Sequence, residues 1–273
     1  MSNTNAIFGV NTYSYTFGYT AADCIRHLAS QGYPAFELMF YPGHLWPTEM
    51  SKEKIAEIRK VCEQTGTRLI SCNMPNIDLN IAGASAEMRD YSLGLLSKFV
   101  ELAGEIGAPA IVIGPGKANP LFPAPREILI SHFREALDRL APIAKKSGTR
   151  LLVENMPFGF IPDAKTLLAE VEAYGDPDVG IIYDVANAHF IGENACDGMR
   201  LLKNRLGLLH FSDTARSVYR HDTIGLGDVP FADYPSVMQE IGYSERPVLE
   251  VISTNADADT ANSAARLAKL GYR

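Results

Sequence analysis

Four ionisable side chains lie at or near the ends of four consecutive apolar segments in the C-terminal half of the chain. In chain order they are Glu154, Asp184, His210 and Glu250. Three carboxylates that converge in an apolar setting repel one another, and their pKa values rise. A divalent cation removes that penalty, and three oxygen donors with one nitrogen suit Mn²⁺, Mg²⁺ or Co²⁺, with Zn²⁺ as the alternative. The four residues therefore predict a site for one divalent metal ion.

Short apolar segments that alternate with helical segments must position these side chains. The predicted strands are Ile7–Asn11, Ala35–Met39, Arg68–Asn73, Ala110–Ile113, Arg150–Glu154, Val179–Asp184, Leu206–Phe211 and Pro247–Val251. Most of them show no period-two alternation, which indicates strands covered on both faces. Helical spacing of apolar residues predicts helices at Ser51–Gln64, Met88–Ile106, Ile128–Lys146 and Asp257–Leu270.

Glycines mark the return from helix to strand. Gly32, Gly66, Gly107, Gly148, Gly180, Gly207 and Gly242 fall just before a predicted strand or at its start. There a positive φ angle ends a helix and turns the chain. Eight strands that alternate with helices over about 250 residues predict an α/β fold, a (β/α)8 TIM barrel, as one domain spanning residues 1–273. A doubly wound open sheet is the alternative, and the lack of a nucleotide-binding fingerprint disfavours it.

Active sites of TIM barrels form at the C-terminal ends of the strands. The second and third predicted strands carry Glu37 and Asn73 toward that end, and both are candidates to line a substrate pocket. After the fourth strand comes Gly114-Pro115-Gly116-Lys117, which lacks the spacing of a Walker loop and the Ser or Thr that follows it. We therefore expect no phosphate loop there.

The overall composition excludes several classes of partner. Twenty-five Lys and Arg against 32 Asp and Glu give a net charge of −7, which disfavours binding to nucleic acid or to anionic membranes. The four cysteines form no C-x-x-C pair, which fits a reducing compartment. No apolar run approaches the ~20 residues of a membrane helix, and the N-terminus lacks the features of a signal peptide. A cytoplasmic protein is expected.

The sequence around the four candidate ligands resembles the xylose-isomerase-like barrel superfamily, the sugar-phosphate isomerase and epimerase group. The segments that carry the resemblance are Val153-Glu154-Asn155, Tyr183-Asp184-Val185-Ala186-Asn187, His210-Phe211-Ser212-Asp213 and Val248-Leu249-Glu250-Val251. The resemblance implies that Glu154, Asp184, His210 and Glu250 hold one divalent metal ion. It also implies that Glu154 and Glu250 are the catalytic pair that transfers protons.

Further residues are expected to contact the substrate. Arg216 stands six residues after His210, where ketose epimerases of the group carry a substrate-binding arginine. Many members have a histidine where this chain has Asn187, and an asparagine there is similar to inosose-dehydratase-like members. The segment Arg220–Asp228, which contains His221, is similar to the same members. Phe160 replaces a substrate-binding glutamate of many ketose 3-epimerases.

The superfamily also contains apurinic-site endonucleases with a three-zinc cluster. His221 matches one ligand of that cluster, but Asn187, Tyr219 and Gly114 stand where other ligands are needed. Together with the acidic net charge, these replacements argue against a role in DNA repair.

These observations predict a metal-dependent isomerase or epimerase of a keto-sugar, hydroxy-ketone or sugar phosphate that acts through a metal-stabilised enediolate. One alternative is a metal-dependent dehydratase of the inosose or dehydroshikimate type. The other is a barrel that binds a sugar or a partner without catalysis. The expected partner is a small carbohydrate or polyol, and the resemblance implies a homodimer or homotetramer.

Overall fold

Parallel strands of the chain close into a barrel. The computed structural model describes residues 4–74 and 78–273. Within this part of the chain the barrel strands are β1 (Gly9–Asn11), β2 (Ala35–Met39), β3 (Arg68–Asn73), β4 (Ala110–Ile113), β5 (Arg150–Glu154), β6 (Gly180–Asp184), β7 (Leu206–Phe211) and β10 (Val248–Leu249). They neighbour one another in chain order, and β10 closes the ring between β7 and β1.

Helices follow the strands and cover the outside of the barrel. They are α1 (Ala21–Ser30), α2 (Lys52–Thr65), α3 (Ala86–Ile106), α4 (Arg126–Ser147), α5 (Ala164–Tyr174), α6 (Val185–Phe190), α7 (Ala195–Leu202), α8 (Tyr234–Glu240) and α9 (Ala256–Lys269). A separate antiparallel hairpin of β8 (Asp213–Ala215) and β9 (Val218–Asp222) follows β7. None of the described helices is long and apolar enough to cross a membrane.

The prediction of a TIM barrel is confirmed. Five predicted strands, β2 to β5 and β7, have the predicted bounds. The first begins later, at Gly9, because Thr4–Ile7 forms a 3₁₀ turn, and the last shortens to Val248–Leu249. The hairpin of β8 and β9 was not predicted.

The glycines before the strands act in two ways. Five of the seven have the expected positive φ angle, for example +65° at Gly66. Gly180 and Gly207 do not, and the expectation of a positive φ angle is wrong for both. A Cβ atom at Gly180 would lie 2.9 Å from Cδ2 of Leu152, and one at Gly207 would lie 2.7 Å from the same atom. Glycine is required at these two positions because the barrel interior leaves no space for a side chain.

An apolar layer fills the barrel beneath the candidate metal ligands. Leu152, Ile182 and Leu208 pack together with residues of β4 in one buried cluster, and Val248 belongs to a second. Each of these side chains precedes a candidate ligand by two residues. Since strand side chains alternate with a period of two, the ligand side chains face the same interior one layer higher, at the C-terminal end of the barrel.

Candidate metal centre and cavity

The four candidate ligands converge at the C-terminal end of the barrel. One ligand atom from each of Glu154, Asp184, His210 and Glu250 lies within 4.8 Å of the others, and all four residues are buried. In the strand register Asp184 is directly opposite His210, and His210 is opposite Val248, two residues before Glu250. The parallel register therefore brings side chains that are up to 96 residues apart in the sequence to the same level of the barrel.

Nδ1 of the His210 imidazole faces all three carboxylates. This nitrogen is 3.1 Å from Oε2 of Glu250, 3.5 Å from Oε1 of Glu154 and 3.8 Å from Oδ2 of Asp184. Three carboxylate oxygens and one imidazole nitrogen thus surround a common point, which is the donor set of a site for a hard or borderline divalent cation.

Two buried atoms of this cluster support metal binding. Within the described part of the chain, Oδ2 of Asp184 and Nδ1 of His210 are buried and make no hydrogen bond. Buried polar groups nearly always have a partner, so such atoms require an explanation. Both atoms face the common point of the cluster, where a cation would satisfy them together. The residues present therefore fit a divalent metal ion.

The other oxygen of Asp184 has a separate structural role. Oδ1 accepts a hydrogen bond of 2.7 Å from the backbone N–H of Asn187 and so caps the N-terminus of α6. The backbone of Asp184 is held by Asn155, whose side chain accepts from the N–H of Asp184 at 2.7 Å and donates to its carbonyl at 3.0 Å. These bonds fix the carboxylate so that Oδ2 faces the cluster.

Burial sets the proton affinities of the carboxylates. Burial raises the pKa of Glu154 to about 7, although the neighbouring His210 opposes the shift. Burial likewise raises the pKa of Asp184 to about 6. At Glu250 burial acts in the same direction, but the charges of His210 and His221 outweigh it and lower the pKa to about 2. The two glutamates therefore differ in their affinity for a proton.

A fourth carboxylate, that of Glu37, contacts the far side of the His210 ring. Oε1 of Glu37 lies 2.8 Å from Nε2 of His210, and both side chains are completely buried. Ser71 donates to Oε2 of Glu37 at 2.6 Å and Asn11 donates to Oε1 at 2.6 Å. Asn11 also donates to Oε1 of Glu250 at 3.3 Å, so it connects Glu37 with the cluster.

A chain of hydrogen bonds leads from Asn187 to His221. The amide of Asn187 donates to the carbonyl of Asn155 at 2.9 Å, so its oxygen is the acceptor for the hydroxyl of Tyr219, at 2.7 Å. The Tyr219 oxygen then accepts from Nε2 of His221, at 2.8 Å. Nδ1 of His221 is hydrogen-bonded to Oγ of Ser212 at 2.9 Å and also lies near the cluster, 3.4 Å from Oε2 of Glu250 and 3.7 Å from Oδ2 of Asp184.

A cavity of about 430 Å³ opens above the cluster. It is lined by Tyr13, Met39, Asn73, Met74, Lys117, Glu154, Met156, Pro157, Phe158, Gly159, Tyr219, His221, Glu250 and Ile252. Its volume suits a sugar-sized ligand, and Glu154 and Glu250 reach it from strands that are not neighbours in the barrel.

The predicted substrate-binding residues lie in different places. Asn73 and His221 line the cavity. Glu37 and Asn187 are buried beside the ligands, where they hold His210 and Tyr219 and do not line the cavity. Arg216 is exposed in the turn between β8 and β9 and does not line the cavity, so its contact with a substrate stays a prediction.

Several residues of the site were not found from the sequence. Asn11 ends the first predicted strand, and the rule that singled out Asn73 could have found it. Tyr219 lies on the unpredicted hairpin, Tyr13 begins a short 3₁₀ helix after β1, and Met156 and Phe158 lie in the loop after β5. Only the closed barrel brings these four residues to one cavity.

The chain belongs to the xylose isomerase-like TIM barrel family, whose model matches residues 25–270. An uncharacterized protein of Methanocaldococcus jannaschii, MJ1311, is 24% identical over 227 residues, which are 80% of this chain and 75% of that protein. A crystal structure of a D-tagatose 3-epimerase-like protein is 21% identical with a TM-score of 0.82, covering 96% of each chain. The apo crystal structure of 3-keto-D-glucoside 4-epimerase from E. coli is 17% identical with a TM-score of 0.80, covering 96% of this chain and 99% of that one. At these identities the structural likeness defines the fold.

Proposed function

We propose that the chain is a divalent-metal-dependent isomerase or epimerase of a keto-sugar or related hydroxy-ketone. The observation that carries the proposal is the cluster of Glu154, Asp184, His210 and Glu250, with two buried atoms that lack a hydrogen-bond partner, at the floor of a sugar-sized cavity. Both structures described above are named for sugar epimerases or proteins like them, which agrees with this chemistry.

The four clustered residues would hold one divalent metal ion, with Mn²⁺, Mg²⁺ or Co²⁺ favoured by the oxygen-rich donor set. When bound, such an ion offsets most of the charge of the three carboxylates and polarises the carbonyl of the substrate. Side chains of the protein carry out the proton transfers.

Glu154 and Glu250 exchange protons with the substrate from two sides. Their strands, β5 and β10, are separated in the barrel by β6 and β7. One glutamate removes the proton from the carbon next to the carbonyl, which leaves an enediolate, and the other returns a proton to the opposite face. Return to the same carbon inverts its configuration, and return to the neighbouring carbon gives aldose–ketose isomerisation.

A metal-dependent dehydratase is the second candidate. The observation that favours it is His221, which lines the cavity and lies 3.4 Å from Glu250. A third titratable group in this place can protonate a leaving hydroxyl, so that the enediolate loses water.

Incubation of the Mn²⁺-loaded protein with ketoses and polyol ketones in deuterated water tests the proposal. The proposal expects deuterium on the carbon next to the carbonyl with the molecular formula otherwise unchanged. Loss of water from the substrate would favour the dehydratase. Stoichiometric metal binding with neither exchange nor loss of water over the panel would favour a barrel that binds without catalysis.

A further inference from the structure

A lysine that the proposed chemistry does not use lies in the wall of the cavity. Of the described residues that line the cavity, Lys117 is the one lysine or arginine. Glu154 and Glu250 line the same cavity, and most of the remaining wall is apolar, with three methionines, Phe158 and Ile252. The cavity thus combines an acidic floor, an apolar wall and one basic side chain.

The fold fixes the position of Lys117 through its backbone. The side-chain amide of Asn80 donates to the carbonyl of Lys117 at 2.9 Å, and the oxygen of the same amide accepts from its N–H at 2.9 Å. The preceding Gly116 has a φ angle of +96°, and a Cβ atom there would lie 2.7 Å from Cβ of Ala82. Lys117 therefore enters the cavity wall from a backbone held on both sides by one residue.

The net charge of the site determines which substrates a cation in the cavity wall would favour. The three carboxylate ligands and one divalent cation sum to a net charge of −1, and the buried carboxylate of Glu37 lies directly behind His210. An anionic substrate would therefore be repelled unless a cation lay in the wall, whereas a neutral polyol would need none. Burial lowers the pKa of Lys117, and the carboxylate of Asp78 opposes that shift. Beside an apolar wall, an ammonium group attracts an anion more strongly than it does in bulk water.

We propose that Lys117 binds a single anionic group of the substrate, a carboxylate or a phosphate monoester, while the polyol part of the substrate lies over Glu154 and Glu250. The substrate class is then an acidic keto-sugar. This inference rests on the proposed function, which concerns the polyol part of the substrate. It adds that the other part of the substrate carries an anionic group. It also gives a role to the segment after β4, which the sequence pattern excluded as a phosphate loop.

Matched neutral and acidic ketoses test the inference. The binding of D-fructose, D-fructose 6-phosphate and D-fructuronate to the Mn²⁺-loaded protein is measured by calorimetry. We expect at least one acidic ligand to bind about tenfold or more tightly than D-fructose, which corresponds to one charged hydrogen bond. Comparing the phosphate with the carboxylate identifies which anion the site takes.

Variants test whether Lys117 causes the preference for acidic ligands. In Lys117→Met the ratio of acidic to neutral affinity should fall about tenfold, and Lys117→Arg should keep most of it. Lys98→Met removes a charge from the exposed face of α3 and should leave the ratio at the wild-type value. Equal binding of D-fructose and both acidic ligands, or a preference that persists in Lys117→Met, would overturn the inference.

Deuterium exchange with the same three ligands separates this inference from the proposed function. Exchange without any effect of Lys117 on the acidic preference supports the isomerase and refutes the role of Lys117. Acidic preference that depends on Lys117, with no exchange for any ligand, supports the anion site and counts against the isomerase.

Discussion

Nε2 of His210 lies 2.8 Å from Oε1 of Glu37, in a part of the barrel where both side chains are fully buried. Both oxygens of Glu37 accept hydrogen bonds from other donors, Ser71 and Asn11, so the imidazole is the donor of this bond. Nε2 of the ring therefore carries a proton in either charge state of His210, and Nδ1 is the nitrogen that is left for a bound cation. A carboxylate behind a metal-binding histidine fixes the orientation and tautomer of the ring in this manner.

The first prediction concerns this pair. In Glu37→Gln the amide can donate to Nε2 of His210, which moves the ring proton to Nδ1, where the metal must bind. We expect the affinity for Mn²⁺ to fall about 10- to 100-fold, as measured by calorimetric titration of the metal-free protein. Glu53→Gln, on the exposed first turn of α2, is the control and should bind as the wild type does. Wild-type affinity in Glu37→Gln would show that Glu37 does not orient His210.

The second prediction concerns the two glutamates that line the cavity. Glu154→Gln and Glu250→Gln keep the shape of the side chain and an oxygen for the metal but cannot take up a proton. We expect the rate of deuterium exchange next to the carbonyl to fall at least about 100-fold in each variant. Metal content is measured on the same samples, so that lost proton transfer is separated from lost metal. A variant that retains metal and exchanges at the wild-type rate would remove its glutamate from the catalytic pair.

The third prediction follows from the raised pKa values of Glu154, about 7, and Asp184, about 6. In the metal-free protein the folded state holds these protons more tightly than the unfolded chain does. That contribution to stability is complete below the ordinary carboxylate pKa values and is lost as pH rises through 6 and 7. Between pH 5 and pH 8 we therefore expect Tm in EDTA to fall by on the order of 5 °C.

Metal should reverse this dependence, because the ion binds the deprotonated carboxylates. The rise in Tm on adding Mn²⁺ is expected to grow between pH 5 and pH 8, as measured by thermal unfolding. In Glu154→Gln the fall of Tm in EDTA should be smaller, since one of the titrating groups of the cluster is removed. A metal-free Tm that stays constant or rises over this interval would contradict the assignment. The pKa of Glu250 is lowered to about 2, so Glu250 changes the stability of the protein only below this pH range.

The fourth prediction tests the packing of the outer helices with two glycines of α3. A Cβ atom at Gly104 would overlap the carbonyl oxygen of Ser147 at the end of α4, whereas one at Gly94 would have only Arg139 nearby, at 4.0 Å. Alanine favours a helix over glycine by about 1 kcal/mol. Gly94→Ala should therefore gain up to about 1 kcal/mol of stability, while Gly104→Ala should lose about 1–3 kcal/mol because the backbones of α3 and α4 must separate. Urea denaturation measures both, and a stabilised Gly104→Ala would show that this contact is loose.

Local patterns in the sequence were sufficient to predict the barrel. Strands covered on both faces are short continuous apolar runs, and the bounds of Arg150–Glu154 and Leu206–Phe211 follow directly from such runs. The ligands could be predicted because each lies at or next to the C-terminal end of a strand, and parallel strands bring those ends to one level. The clustering of Glu154, Asp184, His210 and Glu250 agrees with that reasoning.

Contacts between distant segments could not be predicted in this way. Contact of Glu37 with a substrate stays a prediction. Its contact with the ring of His210 joins residues that are 173 positions apart, and no local pattern indicates that pairing. The spacing of the segment after β4 fits no phosphate loop, whereas the place of Lys117 depends on Asn80, 37 residues earlier. Such partners become visible only when the barrel closes.

The number and location of bound metal ions test the central claim most directly. Calorimetric titration of the metal-free protein with Mn²⁺ should give one ion per chain, and Asp184→Asn should weaken binding about 100-fold or more, because it removes the charge of a buried ligand atom without removing the cap of α6. If the wild-type chain bound no ion at saturation, or if Asp184→Asn bound Mn²⁺ as tightly as the wild type, the four side chains would not form a metal centre.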